Sequence, residues 1–437
     1  MEPIKSKEII SFSSYQKLVI ALLAIMQFTV VLDFMVLSPL GDILMKSMDI
    51  TPSRFGLVVS SYAFSAGISG IFAAGFADKF DRKKLLLFFY SGFILGTFCC
   101  AMADSFAVLL AARIVTGLFG GVIGSISMAI ITDLFTINQR GRVMGFVQMA
   151  FAASQVLGIP TGLFFADIWG WHSSFLMIVI LALTTALTIY WKLRPVNAHL
   201  QLQTDKAPLL HLWHTLTNKH YQIGFVATAF LSVGGFILMP FGSSFLINNI
   251  GIHQEQLKLV FMLTGVSSVI IMPIVGKLSD KFDKFVLFTC GSVISIIMII
   301  IYTNLSTIPL WEVVGINMLL FMGIMSRMVP AMALASAVPE MKDRGAFMSV
   351  NSSLQQMAGG FAALVAGMIV VQKTKTSPLE HYDTLGLVVS GVAVVCLFFV
   401  YRVSELVKKK TAERELAGIN QALALKNQLP AEESILQ

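Results

Sequence analysis

The chain has 437 residues, of which 56% are hydrophobic and 13% are charged, and its formal net charge is +7. A soluble domain carries about 25% charged residues, so this composition excludes an ordinary water-soluble fold and indicates a protein whose main solvent is lipid. The basic excess does not indicate a nucleic-acid partner, because the charges lie in short stretches between apolar runs and no RNA- or DNA-binding motif is present.

Twelve apolar runs are long enough to cross a bilayer, which requires about 20 residues in a helix. The run lengths exclude membrane strands, since a barrel strand needs only about 10 alternating residues. The chain is therefore predicted to be an all-α membrane protein with twelve transmembrane helices. The predicted spans are 16–40, 55–77, 85–103, 106–132, 142–166, 172–191, 221–247, 258–276, 285–303, 309–336, 344–371 and 384–407.

The basic residues predict the orientation of these spans. With the amino terminus in the cytoplasm, 24 of the 31 lysines and arginines fall on the cytoplasmic side, five fall on the other side, and two lie within spans. Lysine and arginine are enriched in cytoplasmic loops of membrane proteins. Both termini are therefore predicted to be cytoplasmic.

The first predicted span contains a carboxylate, Asp33. A charge deep in a span costs at least ~2.5–3.5 kcal/mol on insertion scales, so Asp33 is expected to face the bundle interior or a water-filled cavity. Burial favours the protonated form of a carboxyl group, which suits a proton carrier. The alternative is a structural carboxylate that is capped by nearby backbone or by a basic side chain.

A loop sequence that follows span 2 is repeated after span 8. Asp78–Arg82 reads Asp-Lys-Phe-Asp-Arg, and Asp280–Lys284 reads Asp-Lys-Phe-Asp-Lys. Arg140–Gly141 and Arg344–Gly345 repeat at a similar spacing. The two halves are therefore predicted to be copies of each other, as in transporters whose site lies between repeats near the membrane midplane.

The charged residues of the repeated loop are candidates for a cytoplasmic gate. Asp78, Arg82, Asp280 and Lys284 all fall on the predicted cytoplasmic side. A carboxylate there could pair with a basic residue or with a helix N-terminus and hold one conformation shut. The alternative is a solvated run of charges.

Span 5 contains two glutamines and a proline. Gln148 and Gln155 are seven residues apart and share a helix face. Pro160, flanked by Gly158 and Gly162, removes a helix hydrogen bond and is expected to bend the helix. Bending is useful in a protein whose helices must rearrange during transport.

The longest break between apolar runs follows span 6 and divides the spans into six and six. It contains two prolines, charges and a short amphipathic stretch. The charged tail that follows span 12 is predicted to form at most a short helix. The predicted parts are a first bundle at 1–192, a cytoplasmic linker at 193–219, a second bundle at 220–407 and a cytoplasmic tail at 408–437.

An arginine lies in the middle of span 10. Arg327 cannot lose its charge, so it needs a carboxylate or an anionic substrate as its partner. Asp33 is the only clear acid within the spans, and a contact between Asp33 and Arg327 would join the two halves. The alternative is that Arg327 binds carbonyl and polar groups of neighbouring helices.

Span 11 carries three amides at helical spacing, Asn351, Gln355 and Gln356. Together with the glutamines of span 5, they are candidates for polar residues of a substrate cavity. The alternative for each is a hydrogen bond that joins two helices, worth about 0.6 kcal/mol.

Five segments together resemble the major facilitator superfamily over essentially the full chain. They are the loop Gly75–Lys84 with its weaker copy Gly276–Lys284, Arg113–Gly117 in span 4, Leu157–Gly162 in span 5, and Leu32–Pro39 in span 1. They look most like the drug:proton antiporters with twelve spans and the arabinose-efflux branch. The loop departs from the family motif, because Ala74 replaces its first glycine and Asp81 and Asp283 replace its internal glycine.

The resemblance implies a major facilitator fold of two pseudo-symmetric six-helix bundles. It implies that Arg113 assists proton coupling, with a structural lock between helices as the alternative. It also implies that Gly158, Pro160 and Gly162 form an antiporter motif. From this branch and the short loops we expect a monomer in a bacterial inner membrane.

The leading functional hypothesis is a secondary transporter that exports a small amphipathic organic compound in exchange for protons. Its partners would be the substrate, protons and the lipid bilayer, and its energy source would be the proton gradient rather than a cofactor. A proton-coupled importer, or an exporter of sugars or lipids, is the alternative among transporters. A membrane-embedded enzyme is disfavoured because the seven histidines have no ligand spacing, and a channel is disfavoured because no filter loop is evident.

Overall fold

A computed structural model of the protein describes residues 12–74, 79–197, 200, 208–340 and 343–428. These residues are almost wholly helical, and the only β structure among them is an isolated bridge between Val371 and Glu380. The predicted all-α fold is confirmed.

The described part of the first half contains eight α-helices and one π-helical segment. Pro160 stands at the start of the helix that follows this segment. The elements are α1 (Ser14–Val36), α2 (Gly41–Met48), α3 (Pro52–Ala74), α4 (Arg82–Ala101), α5 (Phe106–Leu134), α6 (Ile137–Ala153), the π segment (Ser154–Gly158), α7 (Ile159–Trp169) and α8 (His172–Lys192).

The second half follows a short linker helix, α9 (Pro208–Thr217), which lies in the predicted amphipathic stretch. The last helix continues far beyond Val407, where the predicted span ends, so the first part of the tail is helical. The elements are α10 (Lys219–Phe236), a 3₁₀ turn (Met239–Phe241), α11 (Gly242–Asn248), α12 (Gln254–Lys281), α13 (Lys284–Thr303), α14 (Leu310–Ala337), α15 (Arg344–Ile369) and α16 (Tyr382–Gln428).

Eleven helical segments of the described residues are long and apolar enough to cross a membrane, and they coincide with eleven of the twelve predicted spans. The protein is therefore an integral membrane protein. The remaining predicted span, 344–371, is the 26-residue helix α15. This helix is less apolar because it faces another helix over much of its length rather than lipid.

Matching caps begin the helices that follow the repeated loop. The Asp81 carboxylate accepts hydrogen bonds from two backbone N–H groups of the first turn of α4, at 2.8 and 3.1 Å. The Asp283 carboxylate does the same for α13, at 2.8 and 3.2 Å. Aspartate is a preferred N-cap because it satisfies N–H groups that lack a helical partner. The aspartates that replace the family's internal glycine therefore act as helix caps.

The helices pack mainly within their own half, and the halves meet along two helix pairs. One pair is α3 with α15, and the other is α12 with α7 and the π segment. Each half contributes its second span to one pair and its fifth span to the other. An exchange of the halves therefore converts one contact into the other, as expected for pseudo-symmetric copies.

Small residues allow α3 and α15 to lie close together. A Cβ atom on Gly56 would be 2.8 Å from the carbonyl oxygen of Ala363, and one on Gly367 would be 3.0 Å from that of Pro52. Further along the pair, Gly67 lies against Ser353. Small residues replace large side chains at such interfaces because they let the two backbones approach.

The two ends of the bundle can be told apart by their charges. We call the end with the α3–α4, α5–α6, α12–α13 and α14–α15 connections the basic face, and the other end the opposite face. Exposed aromatic side chains border both ends: Trp169 and Trp311 at the opposite face, and Tyr190, Trp191 and Trp213 at the basic face. Such belts are typical of the boundary between lipid and water.

Candidate transport site

Asp33 and Arg113 form a fully buried ion pair inside the first half. Nη1 of Arg113 on α5 donates to Oδ2 of Asp33 on α1 at 2.7 Å, and neither side chain has exposed surface. An isolated charge at such a depth would cost several kcal/mol. Protonation of Asp33 would therefore leave Arg113 without its counter-charge.

Two neutral side chains complete this site. Oγ1 of Thr97 on α4 donates to Oδ1 of Asp33 at 3.1 Å. The ring of Tyr62 on α3 lies 4.5 Å from Cζ of Arg113, within the range of a cation–π contact. Four helices thus hold one ion pair. Sequence reasoning missed Thr97 and Tyr62, because neutral residues in apolar runs carry no signal beyond their polarity.

The ion pair can form because α5 approaches its neighbours closely. A Cβ atom on Gly96 of α4 would lie 2.8 Å from the backbone nitrogen of Thr116, and one on Gly117 of α5 would overlap the backbone of Tyr62. Only glycine fits at these crossings without moving a helix. The glycines therefore bring Arg113 within reach of α1.

The predicted contact between Asp33 and Arg327 is absent from this structure, since Arg113 takes the place of Arg327 as the partner of the carboxylate. Arg327 is 3% exposed and lies inside the second half. Its guanidinium is 5.5 Å from the Phe288 ring and within hydrogen-bonding reach of the Cys396 thiol. Its Nε and Nη2 atoms have no hydrogen-bond partner in the part of the chain that the structure describes. Sequence position could not reveal on which side of α14 this arginine points.

The five amides predicted to line a cavity lie in different environments. Gln148 is exposed, Gln155 and Asn351 are buried, and Gln355 and Gln356 are half-buried. The buried side-chain carbonyl oxygens of Gln155 and Asn351 have no hydrogen-bond partner among the described residues. Among the described residues, no hydrogen bond joins any two of these five side chains. Their role as cavity residues stays a prediction.

A π segment, Ser154–Gly158, lies just before Pro160, where the sequence predicts a bend of span 5. Pro160 has no N–H to continue the regular ladder, and π segments are often found at functional sites. The π segment contacts α1 directly, because Oγ of Ser154 donates to the carbonyl oxygen of Phe28 at 3.2 Å. A Cβ atom on Gly158 would overlap Leu32, and one on Gly162 would overlap Val36. The predicted antiporter motif thus lies along the helix that carries Asp33.

The residues predicted to form a gate are only partly connected. Asp78 lies outside the described residues. Nε of Arg82 is 3.4 Å from Oδ2 of Asp133 at the end of α5. Asp280 is exposed, and neither it nor Lys284 forms an ion pair with a described residue. In the second half the ion pair of this loop is made by Asp283, which lies 3.0 Å from Nζ of Lys408.

Polar contacts that sequence reasoning missed join the two halves at the opposite face. Asp42 accepts hydrogen bonds from Nζ of Lys46 at 2.7 Å and from Nδ2 of Asn248 at 2.6 Å. Asp167 forms an ion pair with Nζ of Lys258 at 2.7 Å and accepts a hydrogen bond from Nε2 of Gln254 at 2.9 Å. The signal was available in the sequence, since Asp42 and Asp167 stand at the ends of apolar runs.

Further contacts strengthen this junction. Oγ of Ser38 donates to the carbonyl oxygen of Met239, and Oγ of Ser243 donates to that of Ser38 at 2.8 Å. Nζ of Lys375 lies 3.0 Å from the Asp49 carboxylate. These hydrogen bonds and ion pairs between the two halves lie at or near the opposite face. The halves are therefore joined at the opposite face.

The cysteines are free, with Cys100 and Cys396 buried. Among the described residues, no group of three or more histidine, cysteine or acidic side chains could hold a metal ion. Of the buried titratable side chains, Tyr62 and Cys100 lie at the ion pair of the first half, whereas Tyr302, Tyr382 and Cys396 lie in the second half.

Comparison with known proteins decides the family. The model of the Major Facilitator Superfamily matches residues 23–326 and 224–431, which together cover most of the chain. The chain belongs to the Major Facilitator Superfamily. Members of this superfamily are membrane transporters of small molecules, so a general role in transport follows from membership.

Relatives and solved structures agree with this assignment. The chain is 23% identical to the uncharacterized MFS-type transporter YbcL of Bacillus subtilis (strain 168), over 87% of this chain and 95% of the relative. It is 25% identical to a "Probable sugar efflux transporter" of Helicobacter acinonychis (strain Sheeba), over 58% of this chain and 63% of the relative.

Two solved structures show the same fold at low sequence identity. A D-xylose-proton symporter matches with a TM-score of 0.74 and 16% identity, over 89% of this chain and 98% of the other. A bacterial homolog of the human lysosomal transporter Spinster, in an inward-facing and unoccupied conformation, matches with a TM-score of 0.72 and 15% identity, over 91% of this chain and 99% of the other. The predicted major facilitator fold is confirmed.

Proposed function

We propose that this transporter exports a small amphipathic organic compound in exchange for protons, by alternating access. The observation that carries the proposal is the buried contact between Asp33 and Arg113 at 2.7 Å. An ion pair without solvent contact can act as a switch, because one proton changes its net charge inside a low-dielectric site. The same proton would weaken the contact between α1 and α5.

The contacts between the halves support alternating access. In this state the halves are joined at the opposite face through Asp42, Asn248, Asp167 and Lys258, so the cleft would open toward the basic face. Transport requires the reverse arrangement as well, with those contacts broken and the basic face closed. Arg82 with Asp133, and the undescribed Asp78, remain candidates for the second gate.

The charge distribution supports the proposed orientation. Lysine and arginine concentrate at the basic face, which we place in the cytoplasm with both termini. The bacterial relatives support an inner-membrane location. In this orientation the state described here faces the cytoplasm and would collect substrate there for export.

The test begins with a growth screen of an exporter-deleted bacterial host that expresses the chain, against a panel of toxic compounds. The compound that it identifies is then assayed in proteoliposomes with an imposed pH gradient. Asp33→Asn is expected to abolish transport that the gradient drives, since the amide cannot exchange a proton, while exchange without a gradient persists. If the Asp33→Asn variant still accumulates substrate against the concentration gradient of that substrate, the proposed role of Asp33 as proton carrier is wrong.

A matched control uses the same chemical change at an exposed site. Asp104 lies in the α4–α5 connection at the opposite face and is exposed. Asp104→Asn is expected to leave transport within about twofold of the unchanged protein. A comparable loss in this control would mean that the loss in Asp33→Asn is not specific to the buried ion pair.

A second candidate is the export of sugars. It is favoured by the Helicobacter relatives named as sugar efflux transporters, one of which shares 25% identity over 253 residues. Recognition of a sugar requires several hydrogen-bonding groups directed into the site. Radiolabelled D-xylose and L-arabinose, tested in the same proteoliposomes, separate this candidate from the first.

A further inference from the structure

The two halves enclose a narrow apolar space where they meet beside the buried ion pair. Ten described residues line it, and Ser38 is the only one of them with a polar side chain. Its volume of about 10 Å³ is too small for a ring, so a substrate group would have to displace the side chains that line it. The Ser38 hydroxyl is already bound to the carbonyl oxygen of Met239. The space lies next to the contacts of the opposite face, so it forms the closed end of the cleft.

Two phenylalanines from different halves meet in this space. Phe34 of α1 and Phe236 of α10 have ring centroids 5.8 Å apart and an interplanar angle of 71°, an edge-to-face arrangement. Both side chains are half-buried and line the space. A flat or branched apolar group can replace this ring contact without stranding a polar atom.

The same phenylalanine links the cleft to the ion pair. Phe34 directly follows Asp33 in α1, and its ring centroid lies 5.4 Å from that of Tyr62. The Tyr62 ring in turn covers the guanidinium of Arg113. Tyr62 is 1% exposed, so it cannot move unless its neighbours do. A chain of ring contacts therefore runs from Phe236 to Arg113.

We infer that Phe34 and Phe236 determine specificity by holding an aromatic or branched aliphatic part of the substrate, and that Tyr62 transmits its presence to the Asp33–Arg113 pair. This inference rests on the proposed function and names its substrate class. Polyhydroxylated sugars are disfavoured because their hydroxyl groups would lose water without gaining partners in this space.

Binding to the purified full-length protein tests specificity. Equilibrium dialysis is carried out with radiolabelled salicylate, chloramphenicol and ethidium, which are aromatic probes of different charge, and with D-xylose. At least one aromatic probe is expected to bind, and D-xylose is not. Phe34→Ala and Phe236→Ala are each expected to weaken binding of that probe about tenfold, whereas Phe98→Ala, at a 43% exposed position on α4, stays within about twofold.

Three results of this binding experiment would overturn the proposed specificity for an apolar substrate group. Binding of D-xylose alone, binding of none of the four probes, or equal affinities in Phe34→Ala, Phe236→Ala and Phe98→Ala would each overturn it. If the alanine variants fail to elute as monodisperse protein, Phe34→Leu and Phe236→Leu replace them. These keep most of the apolar volume but lose the flat ring, and a loss of about threefold is expected.

The pH dependence of binding tests the role of Tyr62. The groups that face Asp33 are Arg113 from α5, Thr97 and Cys100 from α4, and Tyr62 from α3. Binding of the aromatic probe is expected to be stronger at pH 8 than at pH 5.5, since substrate and proton compete. Tyr62→Leu is expected to remove this difference, and Tyr62→Phe, which keeps the ring, is expected to retain it.

The two proposals can fail separately. Tyr62→Leu with an unchanged pH dependence overturns the role of Tyr62. Asp33→Asn that keeps the pH dependence overturns the proton role of Asp33, whereas the tenfold losses in Phe34→Ala and Phe236→Ala would still support the specificity of this space.

Discussion

Two buried arginines of this protein illustrate how different the surroundings of the same residue type can be. Arg113 has a carboxylate at 2.7 Å, while Arg327 has only an aromatic ring and a thiol as its close partners in the described residues. Removal of one partner of a buried ion pair strongly destabilises the folded protein. A buried charge without a partner already lowers the free energy of unfolding. The two side chains should therefore respond to substitution in opposite ways.

For the Asp33–Arg113 pair we predict that the effects of the two substitutions on the free energy of unfolding depend strongly on each other. Arg113→Met is expected to reduce the free energy of unfolding by about 3–5 kcal/mol, because it leaves the Asp33 carboxylate buried and unpaired. The double variant Asp33→Asn/Arg113→Met is expected to recover most of this loss. Thermal unfolding in detergent micelles, analysed as a double-mutant cycle, measures the coupling, and additive effects of the two substitutions would contradict it.

At the second site we predict a separation of stability from function. Arg327→Met is expected to leave the melting temperature unchanged or higher, since it removes a buried charge without a carboxylate partner. If Arg327 serves transport, the initial rate of transport falls at least about tenfold in the same variant. A marked drop in melting temperature would show that contacts of the guanidinium stabilise the fold.

At the scale of single elements, the start of a helix is set by local chemistry that both halves share. Asp81 caps α4 and Asp283 caps α13 in the same way. Asp283 also forms an ion pair with Lys408, which lies on α16. The hydrogen bond from Lys408 is the largest cause that holds the pKa of Asp283 below its usual value; burial opposes it, and the hydrogen bonds from the first-turn N–H groups add to it.

The cap and the ion pair can be separated by substitution. Asp283→Ala loses both, and a loss of about 1 kcal/mol is expected from the missing cap. Asp283→Asn keeps a capping oxygen and loses only an exposed ion pair, so a change of a few tenths of a kcal/mol is expected. Asp81→Ala and Asp81→Asn provide the matched pair in the first half. Equal losses in Asp283→Ala and Asp283→Asn would assign the effect to the ion pair instead.

The same site has a defined dependence on pH. The folded pKa of Asp283 is lowered, so its contribution to stability is complete above the unfolded pKa of about 4 and declines as the pH falls below that value. The difference in melting temperature between Asp283→Asn and the unchanged protein should therefore shrink between pH 7 and pH 3. A difference that stays constant over this range contradicts the assignment.

Substitution by alanine is expected to have opposite effects on stability at two glycines, one in the contact between α3 and α15 and one outside it. Gly56→Ala would place a Cβ atom 2.8 Å from the carbonyl oxygen of Ala363, and a loss of about 1–3 kcal/mol is expected from overpacking. A Cβ atom on Gly235 of α10 meets no atom within 4 Å, so Gly235→Ala is expected to stabilise by about 0.5–1 kcal/mol. Thermal unfolding of both variants measures the two signs.

At the scale of the whole molecule, the two halves are joined at one end by carboxylates of the first half. Asp42 and Asp167 each accept hydrogen bonds from residues of the second half. These contacts must break when the opposite face opens. Their strength therefore contributes to the equilibrium between the two states of the transporter.

We predict that loss of both carboxylates opens the opposite face. In Asp42→Ala/Asp167→Ala, spin labels at positions 104 and 304, which are exposed on this face, are expected to move apart and populate a longer distance. Double electron–electron resonance in a background without the native cysteines measures this. Lys373→Ala, which breaks an exposed ion pair within the second half, is the control. An unchanged distance distribution in the double variant would show that the remaining contacts hold this face closed without these two carboxylates.

How much the sequence could predict depended on the range of the interaction. The spans, the internal repeat and the functional interest of Asp33 and Arg113 all follow from composition, periodicity or a local motif. The assumed partner of Asp33 did not, because Arg113 and Arg327 are both arginines within spans and only the rotation of each helix decides which one reaches α1. The caps at Asp81 and Asp283 were visible in the sequence as departures from the family motif but had no assigned role.

The sequence by itself determined that this protein lives in lipid, that it has two similar halves and that it belongs among major facilitator transporters. These properties are sums over many residues, so no single contact alters them. Only the tertiary structure decided the pairing of Asp33 with Arg113, the isolation of Arg327, the junction at the opposite face and the meeting of Phe34 with Phe236. Each of these depends on a distance of a few ångströms between residues far apart in the chain, and helix rotation and packing set such distances.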